Sequence, residues 1–149
     1  MDTTLFIWAW LAIGLAGLWV GIWEWLIAQK SLKIMWMNPE LSWSFLVLTI
    51  LGIALTESAA IYWLIIALQI MWLDPATASS WAVIWAGLAV WAAWFGSGVW
   101  EWFLVSGAMD AILRNPEMKW KIMTYMILFL ALVESSAIYW LVVALSLLW

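Results

Sequence analysis

The sequence predicts an all-α membrane protein of four transmembrane helices, arranged as two tandem helical hairpins. Composition is the first observation: 69% of the residues are hydrophobic, 9% are charged and the mean hydropathy is +1.07. A soluble domain of 149 residues could not bury that much apolar surface, whereas a bilayer can accept it. The spacing of the prolines and an internal repeat are the other two observations.

Four apolar segments are each long enough to cross a bilayer, which takes about 20 residues. They are residues 4–28, 44–73, 80–108 and 122–149. Each of the breaks at 29–43, 74–79 and 109–121 contains one of the three prolines, so no proline interrupts a span. This predicts a first transmembrane hairpin over 1–73, an outside linker over 74–80 and a second transmembrane hairpin over 81–149.

The basic residues predict the orientation of these spans. All five lie in or beside the first and third breaks: Lys30, Lys33, Arg114, Lys119 and Lys121. The positive-inside rule then places both hairpin loops in the cytoplasm and the termini and linker outside. Basic residues that merely flank helix ends are the alternative, but they would not all fall on one side. No cleavable signal peptide is evident, so the first apolar segment is expected to stay in the membrane. We expect an integral protein, in contact with lipid, of a bacterial plasma membrane.

The chain contains a repeat of 77 residues. Shifting it by 77 aligns residues 1–72 with 78–149 and gives 28 identities. The segment 55–64 (LTESAAIYWL) falls on 132–141 (LVESSAIYWL), WEW at 23–25 falls on 100–102, and NPE at 38–40 falls on 115–117. Both hairpin loops lie on the same side, so the repeats are parallel rather than inverted.

The residue types exclude several classes of function. There is no cysteine and no histidine, which removes thiol and imidazole metal sites and histidine-based catalysis. The net charge of −4 gives no basis for nucleic-acid binding, and there is no Gly-rich phosphate loop with a lysine. We therefore expect neither enzymatic activity nor an organic cofactor.

Four glutamates, Glu24, Glu57, Glu101 and Glu134, lie inside the predicted spans. A charge at the bilayer centre is costly, so an intramembrane carboxylate indicates a functional site. Counting along the helices puts Glu57 near the midplane, about one helical turn from the depth of Glu24. The alternative is that these glutamates are permanently protonated and only bond helices together.

A paired carboxylate site suits a hard cation or protons. Two close carboxylates cannot both stay charged without compensation. Na⁺ prefers oxygen ligands, and two carboxylates, a serine hydroxyl and a backbone carbonyl would supply them. The candidate Na⁺ ligands are Glu24, Glu57, Ser58, Glu101, Glu134 and Ser135. One Na⁺ with one proton would neutralise a pair, and protons alone could also do so.

Each hairpin resembles the c-subunit, or proteolipid, of rotary ATP synthases. The resemblance rests on a glycine-patterned first helix, the loop RNPE at 114–117 and the second-helix pattern AxxESxxxY at 54–62 and 131–139. It covers nearly the whole chain twice. It implies a ring of copies that turns against a stator subunit, docks to a central stalk and carries Na⁺ or H⁺.

The resemblance also implies roles for single residues. Glu57 and Glu134 would carry the ion, and Glu24 and Glu101 would be their first-helix partners. The hydroxyls of Ser58 and Ser135, the tyrosines Tyr62 and Tyr139 and the carbonyls of Leu55 and Leu132 would complete the sites. Each site would lie between neighbouring hairpins, so half would form within a chain and half between chains.

Two features depart from the family pattern. Met37 stands where the second repeat has the loop arginine, which puts stalk docking by the first hairpin in doubt. The fused double hairpin is typical of vacuolar-type proteolipids, although both carriers are kept here and the second-helix motif is closer to the bacterial F-type.

The 18 tryptophans are the larger departure. Tryptophan and glycine exchange places between the repeats in four aligned pairs: Trp10 with Gly87, Gly14 with Trp91, Gly17 with Trp94, and Trp19 with Gly96. We interpret them as ring packing in which a large side chain on one inner helix fills the space above a glycine on its neighbour. Random drift of tryptophan and glycine in lipid-facing helices is the alternative. The high tryptophan content is consistent with either an engineered sequence or an unusual natural branch.

Three functions compete on the sequence alone. The first is an ion-carrying rotor-ring subunit. The second is a natural or engineered structural ring or pore on the same scaffold without motor activity. The third, a small four-helix drug/proton exchanger, would not need a parallel repeat and four buried carboxylates.

Overall fold

The computed structural model describes residues 3–74 and 76–149, and over these ranges the chain forms four long helices. They are α1 (Thr3–Met37), α2 (Ser42–Trp72), α3 (Ser80–Arg114) and α4 (Lys119–Leu148). The side chains at 3–6, 8–10, 12, 13, 16, 59 and 94 lie outside the description. The all-helical prediction is confirmed.

Within the described residues, three stretches are long and apolar enough to cross a membrane, Pro39–Trp72, Ser80–Arg114 and Pro116–Leu148, and the first of the four predicted spans, in α1, is not among them. Helix α1 has 35 residues, as many as α3, and Glu24 is the one charged residue of its predicted span. A helix of 35 residues is about 52 Å long, which exceeds the hydrocarbon core of a bilayer.

The predicted breaks at 29–43 and 109–121 were too wide. Helices α1 and α3 continue to Met37 and Arg114, and only a single turn of 3₁₀ helix, Pro39–Leu41 or Pro116–Met118, separates each from the next helix. No helix breaker precedes the prolines, and the side chains of Ile34 and Ile112 are buried, which favours continued helix.

The two hairpin turns have the same geometry. Asn38 and Asn115 adopt extended backbone angles, with φ of −136° and −141°, as expected for a residue before proline. Each asparagine carbonyl then accepts a hydrogen bond from the amide three residues later. Between α2 and α3, the carboxylate of Asp74 accepts from the amide of Ala76, and Ser79 caps the start of α3.

The hairpins pack side by side through two apolar clusters, each built from both hairpins. The cluster nearer the loops contains Ile27, Ile34, Leu41, Phe45, Leu48, Val105, Ala108, Met109, Ile112, Met123, Met126 and Leu130. The cluster nearer the termini contains Val20, Trp63, Ile66, Ala67, Ile70, Val83, Ala86, Val90 and Ala144. Along every helix the intramembrane glutamate falls between the two clusters, so the carboxylates form a polar layer at mid-depth.

Two contacts define the junction between the hairpins near the loops. The ammonium of Lys30 lies 2.7 Å from the carboxylate of Asp110 and 2.6 Å from the hydroxyl of Ser106. Gly52 lies so close to Val105 that a Cβ at position 52 would be 2.9 Å from the nearest valine methyl. The absence of a side chain at Gly52 therefore permits this close approach of α2 to α3.

Candidate ion-binding site

The glutamates of the second hairpin meet the serine and tyrosine of the first. The hydroxyl of Ser58 on α2 lies 2.8 Å from Oε1 of Glu134 on α4. Tyr62, one turn further along α2, is half-buried and faces Glu134. Glu101 on α3 faces Glu134 from the other side, so two hairpins contribute to one cluster.

Backbone contacts within α2 fix the direction of its hydroxyl groups. The hydroxyl of Ser58 lies 2.5 Å from the carbonyl of Leu55, and that of Thr56 lies 3.0 Å from the carbonyl of Gly52. A carbonyl oxygen can only accept, so the Thr56 proton is used within the helix. Ser58 has one proton and two acceptors within reach, the Leu55 carbonyl and the Glu134 carboxylate.

The carboxylates are deeply buried. Glu101 is fully buried and Glu134 is 7% exposed. Both carboxylate oxygens of Glu101 and Oε2 of Glu134 have no hydrogen-bond partner among the described residues. Glu101 also faces the hydroxyl of Thr56, whose proton is already given to the helix backbone.

The cluster is therefore rich in acceptors and poor in donors. Two carboxyls and two serine or threonine oxygens converge, and the side-chain donors that face Glu134 are the hydroxyl of Ser58 and the phenol of Tyr62. Uncompensated buried charges cost several kcal/mol each, and two adjacent carboxylates add mutual repulsion. A proton or a cation shared among these oxygens would satisfy the cluster, which makes it a candidate ion-binding site.

Carboxylates occur here in pairs. Among the described residues, no three side chains of the metal-ligating acidic or cysteine and histidine types converge. A cation at such a pair would take its other ligands from hydroxyl and carbonyl oxygens, which are the ligands that hard cations prefer.

The remaining predicted site residues lie apart, on opposite edges of the chain. The carboxyls of Glu24 and Glu57 face each other on the edge of the first hairpin, where Glu57 is exposed. On the edge of the second hairpin, Leu132 and Tyr139 are 68% and 69% exposed, and Ser135 donates to the carbonyl of Leu132. Each edge thus holds the half of a site that the other edge lacks.

The residues alone predict that Ser58 joins a carboxylate pair in a Na⁺ site, and that site stays a prediction; in the structure the carboxylate that Ser58 contacts is that of Glu134. Consecutive helical residues point about 100° apart, so adjacent side chains face different neighbours. Ser58 faces the second hairpin and contacts Glu134, while Glu57 faces away from that hairpin.

Among the described side chains of one chain, no tryptophan fills the space above the glycines of the four exchanged pairs, and such packing between chains stays a prediction. No described atom would lie within 4 Å of a Cβ placed on Gly14, Gly17, Gly87 or Gly96. Trp19 packs edge-on against Phe95 at 5.5 Å, and Trp91 stacks on the same ring. These rings find aromatic partners, which offer more contact area than a glycine. The side chains of Trp10 and Trp94 lie outside the described residues.

Sequence reasoning missed Thr56. It is fully buried and faces Glu101, although it is not one of the fixed residues of the second-helix pattern or of the hairpin loop. The repeat offered the signal, since Thr56 aligns with Val133 inside an otherwise similar segment. Sequence reasoning also missed that Lys30, one of the residues that predict the orientation, pairs with Asp110.

Comparison with known proteins identifies the family of this chain. The family of ATP synthase c-subunits matches the chain twice, over residues 7–70 and 84–147. The chain belongs to the ATP synthase c-subunit family. It is a c-subunit in tandem double-hairpin form, and its place in the enzyme is that of a non-catalytic proteolipid of the ion-carrying rotor.

Relatives of this c-subunit are found in chloroplasts and bacteria. The chain is 48% identical to the chloroplast ATP synthase c-subunit of Porphyra purpurea over 67 residues, which are 45% of this chain and 82% of that relative. It is 43% identical to the chloroplast protein of Cyanidium caldarium over 76 residues, 51% of this chain and 92% of the relative. It is 42% identical to the ATP synthase c-subunit of Syntrophobacter fumaroxidans over 64 residues, which are 43% of this chain and 71% of that relative. Residence in a bacterial plasma membrane thus stays a prediction, as does the cytoplasmic placement of the loops.

Proposed function

We propose that this rotor protein carries Na⁺, held with a proton at paired glutamates between neighbouring hairpins. The observation that supports this most is the contact of Ser58 with both Glu134 and the Leu55 carbonyl. Ser58 has one proton for these two acceptors, so the other contact needs either a proton on Glu134 that is donated to the Ser58 oxygen or a cation among the oxygens. A Na⁺ ion shared by the three oxygens, with a proton on the carboxylate pair, satisfies the geometry and leaves the site neutral. Protons alone are the second candidate cargo.

The neutrality of the loaded site explains how it could drive rotation. A loaded site carries no net charge and can pass through lipid, whereas an empty site holds a buried carboxylate whose exposure to hydrocarbon is costly. An empty site therefore stays beside an aqueous path or a cationic stator group until it is reloaded. Ion flow then biases the direction in which the rotor turns.

The second half of the sites requires a second copy of the chain. Among the described residues, Glu24 and Glu57 on one edge have no serine or tyrosine partner, and Ser135 and Tyr139 on the other have no carboxylate partner. Joining the two edges head to tail repeats the contact seen within the chain. Such heterologous contacts form a ring when the rotation closes. We propose that this ring works with stator and central-stalk subunits in the membrane sector of an ATP synthase.

The packing of the two edges supports the same head-to-tail contact between copies. Within the chain, Gly52 accommodates Val105. At the junction between copies the repeat places Phe129 where Gly52 stands and Ala28 where Val105 stands. The larger side chain of the pair then lies on the last helix and the smaller one on the first, the reverse of the arrangement within the chain. Phe129 lines an open groove of about 300 Å³ on the free edge of the second hairpin, together with Phe103 and Gly107.

Cysteine cross-linking tests the join, because the chain has no cysteine of its own. A Cβ at position 52 would lie 3.6 Å from that of Val105, within the range of a disulfide. Oxidation of Ala28→Cys/Phe129→Cys should give a ladder of linked chains on a denaturing gel. The matched control Gly52→Cys/Val105→Cys should give linked single chains only. A ladder from the control pair, or none from the test pair, would contradict the join.

Labelling by a carboxyl-reactive carbodiimide tests the cargo. The purified ring should react at Glu57 and Glu134, and Na⁺ should suppress both reactions. Labelling that responds to pH alone would mean a proton carrier. No labelling under any condition would overturn the rotor function and favour a structural ring.

A further inference from the structure

The two kinds of ion site in this chain differ in the hydroxyl groups near their carboxylates. The site within the chain has Thr56 next to its carboxylates. At the site completed between copies, the 77-residue repeat places Val133 in the same position. The serine, tyrosine and paired glutamates are otherwise the same in both sites. The repeat also aligns Ala59 with Ser136, but the hydroxyl of Ser136 is exposed and donates to the carbonyl of Val133.

The geometry of Thr56 leaves its lone pairs for the site. The side chain is fully buried, and its hydroxyl donates to the carbonyl of Gly52 at 3.0 Å. The Thr56 and Glu101 side chains face each other. While its proton is held by the Gly52 carbonyl, the Thr56 oxygen keeps its lone pairs free to accept a hydrogen bond or to coordinate a cation.

The carboxylate of Glu101, which lies opposite Thr56, needs a positively charged partner or a proton. Both carboxylate oxygens of Glu101 are buried without a hydrogen bond among the described residues, and so is Oε2 of Glu134. A neutral acceptor beside unpaired carboxylate oxygens is unfavourable unless a cation or a proton lies between them. The unpaired atoms and the hydroxyl thus surround one position that favours a positive charge.

We propose that Thr56 is an additional oxygen ligand for the cation held by Glu101 and Glu134, so that tighter and weaker sites alternate around the ring. This inference rests on the proposed function, because it assumes that Na⁺ is the cargo. An added neutral ligand or hydrogen bond contributes about a tenfold change in binding. The site within the chain should therefore be half-protected at about one-tenth of the Na⁺ concentration needed by the site between copies.

The test is a Na⁺ titration of carbodiimide labelling on the intact ring, read residue by residue by mass spectrometry of peptides. Comparing midpoints rather than extents removes any difference in access of the reagent. In the unaltered ring Glu134 should be protected at about tenfold less Na⁺ than Glu57. Thr56→Val should raise the midpoint of Glu134 to that of Glu57 and leave Glu57 unchanged. The reciprocal variant Val133→Thr should lower the midpoint of Glu57 instead.

The outcomes separate this inference from the proposed function. Equal midpoints in the unaltered ring, or a Glu134 midpoint unmoved by Thr56→Val, overturn the role of Thr56 while Na⁺ carriage stands. Labelling at both carriers without protection by Na⁺ overturns the Na⁺ cargo and this ligand together, and leaves a proton rotor. If Thr56→Val fails to assemble, Val133→Thr decides alone, because it adds the hydroxyl to a chain that keeps Thr56.

Discussion

Adding one methyl group at Gly52 should destabilise the chain measurably. The new Cβ would lie 2.9 and 3.0 Å from the two methyl groups of Val105, closer than side chains approach one another. Val105 is fully buried between the hairpins, so it has little room to move. Overpacking of this kind costs about 1–3 kcal/mol, even though alanine favours a helix over glycine by about 1 kcal/mol.

A second substitution tests whether the contact is the cause. Val105→Ala alone removes two buried methyl groups and should cost about 1–3 kcal/mol. In the double variant Gly52→Ala/Val105→Ala the new methyl fills part of the space that the valine leaves. Its loss should be smaller than the sum of the single losses by about 1 kcal/mol or more.

The assay is unfolding of the purified chain in mixed detergent and SDS, followed by the fluorescence of its 18 tryptophans. Gly107→Ala is the matched control, because no described atom lies within 4 Å of a Cβ at that position. The control should be neutral or stabilising. Equal effects of Gly52→Ala and Gly107→Ala, or strictly additive losses in the double variant, would refute the close packing of α2 on α3.

Two further outcomes follow from the site and the junction. Ser58→Ala should raise the Na⁺ concentration that protects Glu134 from carbodiimide by about tenfold. The control Ser135→Ala should leave that concentration unchanged. Equal shifts from both variants would contradict the assignment of ligands. Asp110→Asn removes the carboxylate that pairs with Lys30, and because the pair is partly exposed, its loss should change stability by less than about 1 kcal/mol, with a smaller change at high salt; a salt-independent loss of several kcal/mol would show that the pair is buried in the ring.

The repeat carried most of what could be predicted from the sequence. It gave the two hairpins, their common direction and the pairing of Glu24 with Glu57 and of Glu101 with Glu134. These depend on positions along a helix, which a sequence records directly. The limits of the spans were less accurate, because burial of residues such as Ile34 extends the helices beyond the apolar runs.

What could not be predicted depends on which helix faces which. The partner of Ser58 is set by the rotation of α2 against α4, and a sequence alone does not give that rotation. The exchange of large and small side chains was expected at tryptophans but occurs at Gly52 and Val105, where the backbones approach closely. Thr56 was overlooked for the same reason, since its role depends on a glutamate from the other hairpin.

Comparing the ring with single chains tests most directly the claim that each ion site forms between two hairpins. Carbodiimide labelling of Glu57 and Glu134 should be measured with and without Na⁺, before and after the ring is dissociated into folded single chains. In the ring, Na⁺ should protect both residues. In single chains it should still protect Glu134, whose ligands come from the same chain, and no longer protect Glu57. Protection of Glu57 in single chains, or loss of protection at Glu134, would contradict the account.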